Sequence, residues 1–171
     1  MAMSSADWRL MNEQQLTELF RKLGAPMPDG WAGSQIREGI PQLARYLFLR
    51  QAWRLVVGPD DGSWISKMRT RNPNAPGDEF GPAMDRLLMT GARPDDLTTI
   101  VRIMQWWLLS GLCVLLEDPG NLEAEVADME WGLFLLDEND NPIEPIGGLI
   151  ESVLSVDPTG REMRPPGARD G

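Results

Sequence analysis

The chain has 171 residues, 16 Lys and Arg against 26 Asp and Glu for a formal charge of −10, one cysteine and no histidine. A lone Cys113 excludes an intramolecular disulfide framework and a Cys-rich zinc site. The lack of His excludes Ser–His–Asp and Cys–His catalysis and the HExxH metalloprotease site. With 42% apolar residues and seven Trp the chain is hydrophobic enough to fold, and at this length it buries about 70% of its unfolded surface without staples. A single helical domain over 1–160 is expected, followed by a flexible Pro/Gly-rich tail over 161–171.

No basic and apolar run opens the sequence, so no targeting peptide is expected and the chain reads as cytoplasmic. Leu16, Leu19, Phe20 and Leu23 recur at steps of three and four residues, predicting a helix from Asn12 to Leu23 that Gly24 and Pro26 stop. Residues 26–33, rich in Pro and Gly, read as a connector that holds Trp31. Residues 34–57 read as helical, with Pro41 either kinking one helix or starting a new one. A short helix is expected from Trp64 to Thr70. The segment 71–82, with three Pro and two Gly, reads as a loop. Another short helix is expected from Phe80 to Met89.

Pro94 to Glu117 is the clearest element. Pro94 suits the first helical position, and Asp95 and Asp96 complement the positive end of the helix dipole. Its apolar residues fall on more than one side, so it is expected to be the central, buried helix of an irregular bundle. Its most apolar stretch, Ile103 to Leu116, is shorter than the ~20 residues of a bilayer span, so no membrane partner is expected. Ser110-Gly111 within it is expected to let another helix approach closely. Leu122 to Met129 reads as a short acidic helix, Trp131 to Ile146 as a small β-hairpin about the turn Asp137–Pro142, and Leu149 to Val156 as a further short helix. The expected fold class is therefore mainly α.

The charge is lopsided. Residues 1–111 carry 13 Lys/Arg and 12 Asp/Glu (13 − 12 = +1), whereas residues 112–171 carry 3 and 14 (3 − 14 = −11). From Glu117 to Glu144 there are ten carboxylates and no base. Such crowding costs stability through self-repulsion and repels phosphate backbones, so nucleic acid is not an expected partner. Trp131, Met129, Phe134 and Leu122 interleave with these acids, and apolar anchors ringed by one sign of charge suit a partner with a basic face. The expected partner-binding residues are Glu123, Glu125, Asp128, Glu130, Trp131, Asp137, Glu138 and Asp140.

The remaining patterns are weaker. Asp137-x-Asn139-x-Asn141 matches the first ligands of a calcium loop, but Pro142 and Gly148 stand where that motif needs Gly and Glu, so a hairpin turn accounts for it. Lys67, Arg69 and Arg71, with Arg45, Arg50 and Arg54, form at most a local basic patch, and such arginines commonly pair with acids of the same chain. Cys113, inside an apolar pattern without a neighbouring base, reads as a buried inert thiol. No catalytic residue, metal site or cofactor is expected. The functional expectation is a non-enzymatic, acidic protein-binding module, an intracellular inhibitor of the immunity type that masks a basic partner. A secretion chaperone for a basic effector uses the same physics. The enzymatic alternative is a metal-dependent hydrolase built on Asp60, Asp61, Asp95 and Asp96.

Overall fold

A computed structural model describes residues 7–69, 75–165 and 167. The protein is mainly helical, with a small two-stranded antiparallel sheet near its C-terminus. The α-helices are α1 (Glu13–Leu23), α2 (Pro28–Glu38), α3 (Gln42–Trp53), α4 (Ser63–Arg69), α5 (Phe80–Met89), α6 (Pro94–Glu117) and α7 (Leu149–Ser152), and the strands are β1 (Phe134–Leu136) and β2 (Pro142–Pro145). Packing separates two compact units, one formed by Met1–Trp53 with Ser110–Gly171 and the other by Arg54–Leu109.

In the first unit, α1 starts at a capping box: the Asn12 side chain accepts from the Gln15 backbone N–H, and the Gln15 side chain accepts from that of Asn12. Gly24 ends the helix in the left-handed region, at φ 81°. The expected connector over 26–33 is instead largely α2, because Pro28 occupies a first-turn position where its missing N–H costs nothing. Pro41 does not sit inside a helix; α2 stops at Gly39 and α3 begins after the proline, with the Gln35 side chain accepting from the Leu43 N–H at 2.8 Å. Phe20, Trp31 and Tyr46 form an aromatic triad with centroids 5.7–6.0 Å apart. Leu16, Leu49, Cys113 and Leu149 of the same unit are fully buried. The Trp53 indole donates to the Val153 carbonyl at 2.7 Å, tying α3 to the turn after α7. Within the expected tail, residues 166 and 168–171 lie outside the described residues. Before them, the Met163 N–H donates to the buried Asp157 carboxylate at 2.9 Å.

The second unit has its core at Trp64, Ile65 and Met84, flanked by Val57, Met68, Phe80, Leu88, Leu97 and Val101. The first half of α6 meets this unit through polar side chains. Thr98 accepts from the Trp64 indole at 2.8 Å, Arg102 donates to the Val57 carbonyl at 2.8 Å, and Gln105 accepts from the Val57 N–H at 2.8 Å. These three residues, four and three apart, lie on one helix face.

The buried central helix expected over 94–117 is corrected here. Only 17% of the most apolar window of α6 is buried, although by length and composition the helix could cross a membrane. Ile100, Met104, Trp107 and Leu108 are exposed, the last by 75%. Apolar residues around the whole circumference suggest burial, but polar groups with fixed partners claim the inward side of the first half. The expected helix–helix approach at Gly111 is corrected as well, since open space surrounds the position a Cβ would take.

Two stability measurements test this arrangement. In urea, Leu49→Ala should lose about 2–5 kcal/mol as a core truncation, whereas Leu108→Ala should change stability by no more than about 0.5 kcal/mol. Gly111→Ala should raise stability by about 1 kcal/mol through helix propensity alone; a loss would mean that something packs on that position.

Candidate functional site

The acidic run is an excursion of the chain from the end of α6, closed at its base. The Glu117 carboxylate accepts from the Leu149 N–H at the start of α7. Beside this contact the Arg45 guanidinium of α3 lies so close to Gly148 that a Cβ there would collide with it, and Gly148 sits at φ 69°, so only glycine is at ease there. Burial lowers the Arg45 pKa, and the nearby carboxylates of Glu151, Glu117 and Glu38 oppose that shift. Arg45, grouped from sequence in a local basic patch, is thus half-buried and faces acids, Glu117 of the acidic run among them.

Beyond Asp118 the excursion has little regular structure. The expected acidic helix over 122–129 is only a 3-10 turn, Ala124–Val126; a helix there would stack Glu125 and Asp128, like charges three residues apart, with no base in reach to offset them. Glu123, Glu125, Asp128 and Glu130 are exposed. Midway, the exposed Trp131 donates its indole N–H to the Leu115 carbonyl of α6, which pins the excursion to the helix it left.

The hairpin is shorter than the expected Trp131–Ile146. Leu135 pairs with Glu144 and Leu136 with Pro142, with an irregularity between them, and the two prolines of β2 cannot donate to the ladder. Its turn is built by Asp137, whose carboxylate accepts from the N–H groups of Asn139 and Asn141, at 2.8 and 2.9 Å, and from the Asn141 amide. Those bonds hold the Asp137 carboxyl below the ordinary Asp range. The residues that resemble a calcium loop thus spend their polar groups on an Asx-type turn, with Asp140 at φ 63° completing it.

The sequence-predicted site residues therefore all lie on this one excursion, and all but the partly exposed Asp137 are exposed. Among the described residues, no ion pair reaches Glu123, Glu125, Asp128, Glu130, Asp137, Glu138, Asp140 or Glu144. Exposed apolar side chains accompany them: Val126, Met129, Phe134, Leu136 and Ile143.

Two features escape the sequence. An apolar cleft of about 320 Å³ is lined by Trp8, by Leu19 and Leu23 of α1, by Leu43, Ala44 and Leu47 of α3 and by Leu135 of β1. A second cleft of about 510 Å³ shares Trp8 and Leu135 with it and continues over Arg9, Leu136, Asp137, Glu138 and Asn139. The Arg9 guanidinium stacks on the Trp8 ring, 4.6 Å from its centroid. No local sequence signal joins Trp8 to Leu135, because their juxtaposition is made entirely by the fold.

The other candidates are placed as follows. Asp61 accepts from the Ser63 hydroxyl and, at 2.9 Å, from the Ser63 N–H at the start of α4, which together lower its pKa, and Lys67 lies 3.9 Å from it. Asp95 and Asp96 stand exposed in the first turn of α6, with Arg93 3.8 Å from Asp95. Among the described residues no group of three or more Cys, Asp or Glu could hold a metal ion. In the basic cluster read from sequence, Arg69 pairs with Asp85, and Arg71 lies outside the described residues. Cys113 is fully buried, and burial, with Glu117 nearby, raises its pKa to about 11, so its thiol is inert at neutral pH. Compared with known proteins, the chain matches no family model, no curated protein and no solved structure.

The Asp137 turn makes a pH prediction. Because its folded pKa is lowered, its contribution to hairpin stability is complete above the unfolded value of about 3.9 and is lost only as pH falls through the folded pKa. The carboxyl carbon of Asp137, followed by NMR, should titrate below that value, and Asn141→Ala should move its midpoint upward. An unmoved midpoint would remove the turn from this role.

Proposed function

We propose that the chain is a non-enzymatic protein-binding module that presents the stretch Glu117–Glu144 to a basic protein partner, as an intracellular inhibitor of the immunity type that masks it. The observation that carries this reading is the run of exposed carboxylates without ion-pair partners among the described residues, alternating with exposed apolar side chains on one excursion of the chain. Charges left without internal partners do not stabilise this fold; grouped on one segment, they repel one another. An external basic face would relieve that repulsion and raise the association rate by electrostatic steering. Trp131, fixed through its indole yet exposed, offers the kind of rigid aromatic anchor that dominates protein interfaces.

The secretion-chaperone reading would use the same face. What separates the two is the state of the bound partner, folded and silenced in one case and held unfolded in the other.

The test uses the product of a neighbouring gene that encodes a basic protein. Glu123→Lys, Glu125→Lys and Asp128→Lys together should slow its association about tenfold or more at low salt, with helical circular dichroism unchanged. The parent chain's association rate should fall as salt rises toward physiological strength, where the Debye length is about 8 Å. Equal rates for parent and variant would reject the acidic face as the binding surface.

A further inference from the structure

The geometry points to the Trp8–Leu135 cleft as the seat of one apolar side chain, of Leu, Met or Phe size, carried by a partner segment whose adjacent residues are Lys or Arg. This rests on the acidic-face reading above and specifies what that face recognises.

The argument begins with shape. The apolar cleft holds about 320 Å³, at the low end of the roughly 300–1,000 Å³ of small-ligand sites. That volume readily admits one side chain of Leu, Met or Phe size. Its walls from α1 and α3 are aliphatic, so an occupant forms no hydrogen bond there, and its gain is the removal of apolar surface from water.

Charge supplies the second half. Trp8 and Leu135 line both this cleft and the adjoining one, so a segment that seats an apolar group in the first and continues along the second lies over Asp137 and Glu138. Against these two carboxylates stands one resident cation, Arg9, for a local balance of 1 − 2 = −1. The Asp137 oxygens are already engaged in the turn, which leaves Glu138 as the partner for an incoming cation. Asp140 and Glu144, on the same hairpin, add to the negative field. A fatty-acid-like ligand would fit the apolar walls, but its carboxylate would have to lie among these acids with only Arg9 in its favour. A Lys or Arg beside the buried group meets complementary charge instead.

Blocked pentapeptide amides serve as probes, followed by NMR on the full chain: Lys-Lys-Leu-Lys-Lys, Lys-Lys-Ser-Lys-Lys and Glu-Glu-Leu-Glu-Glu, with decanoate beside them. The leucine–lysine peptide should shift the Trp8 indole and the Leu135 and Leu47 methyl signals, and bind about tenfold or more tightly than its serine counterpart. Ala44→Leu, which fills the cleft, should abolish that advantage. Arg9→Ala, which removes the resident cation, should strengthen binding of both lysine peptides.

Equal, salt-sensitive binding of the two lysine peptides would overturn the cleft assignment while leaving the acidic face standing. Preferential binding of the glutamate peptide or of decanoate would overturn both. Binding by none of the probes would overturn the cleft assignment. The comparison of peptides on the parent chain stands even if Ala44→Leu does not fold.

Discussion

In the first unit, one half-buried cation sits where the acidic excursion leaves and rejoins the helices. Arg45 projects from α3 against Gly148 and faces the carboxylates of Glu117 and Glu151. Removing a guanidinium from water is costly unless charge and hydrogen bonds compensate it. Here Glu151, just past one end of the excursion, and Glu117, at the other, offset the cost only in part: burial outweighs them, and the Arg45 Nε is buried without a hydrogen-bond partner among the described residues. Glu117 spends one oxygen on the Leu149 N–H. The return of the chain to the helices is thus fixed by a contact between residues 32 positions apart. Without it, the crowd of carboxylates between them would favour an open chain, since their mutual repulsion is relieved by separation.

How much of this was legible in the sequence varies with how local the cause is. α1, α5 and α6 could be bounded because their start and stop signals are neighbours of the helices themselves: Asn12 and Gly24, Gly91, Pro94. α2 was illegible because the features that make a connector, two prolines and two glycines over 26–33, also permit a helix that starts at Pro28. The exposure of α6 was illegible for a subtler reason. Thr98, Arg102 and Gln105 look like interruptions of an apolar pattern, and only their partners Trp64 and Val57, distant in sequence, turn them into the inward face. Hydrophobicity counted around a helix identifies neither its inner nor its outer side when specific polar bonds compete for the inner one.

The candidate site divides in the same way. Its charge is additive along the sequence and could be read directly, and so could Trp131 among the acids. The cleft could not, because it needs a 3-10 turn at Asp7–Leu10, two helices and a strand to converge. The calcium-like spacing at Asp137 shows the converse error: side chains spaced for a ligand can satisfy one another, and the backbone N–H groups of a tight turn take up the same oxygens that a cation would need.

In the proposed reading these parts have separable roles. Exposed carboxylates act over a Debye length and so govern how quickly a basic partner arrives. They contribute less to how long it stays, because each is solvated before and after contact. Residence must come from groups that lose water: the Trp131 ring, the exposed apolar residues of the hairpin, and the cleft walls. The near absence of regular structure between Leu122 and Leu133 fits that division. A segment selected for charge cannot build a helix of its own, and ordering it against a partner costs conformational entropy. Fixing its two ends at Glu117 and Leu149 and its middle at Trp131 lowers that cost in advance, since a loop tethered at three points has less freedom to lose than a free tail. The architecture thus reconciles two opposed demands: carboxylates dense enough to attract, and a backbone held well enough that the attraction ends in one bound geometry.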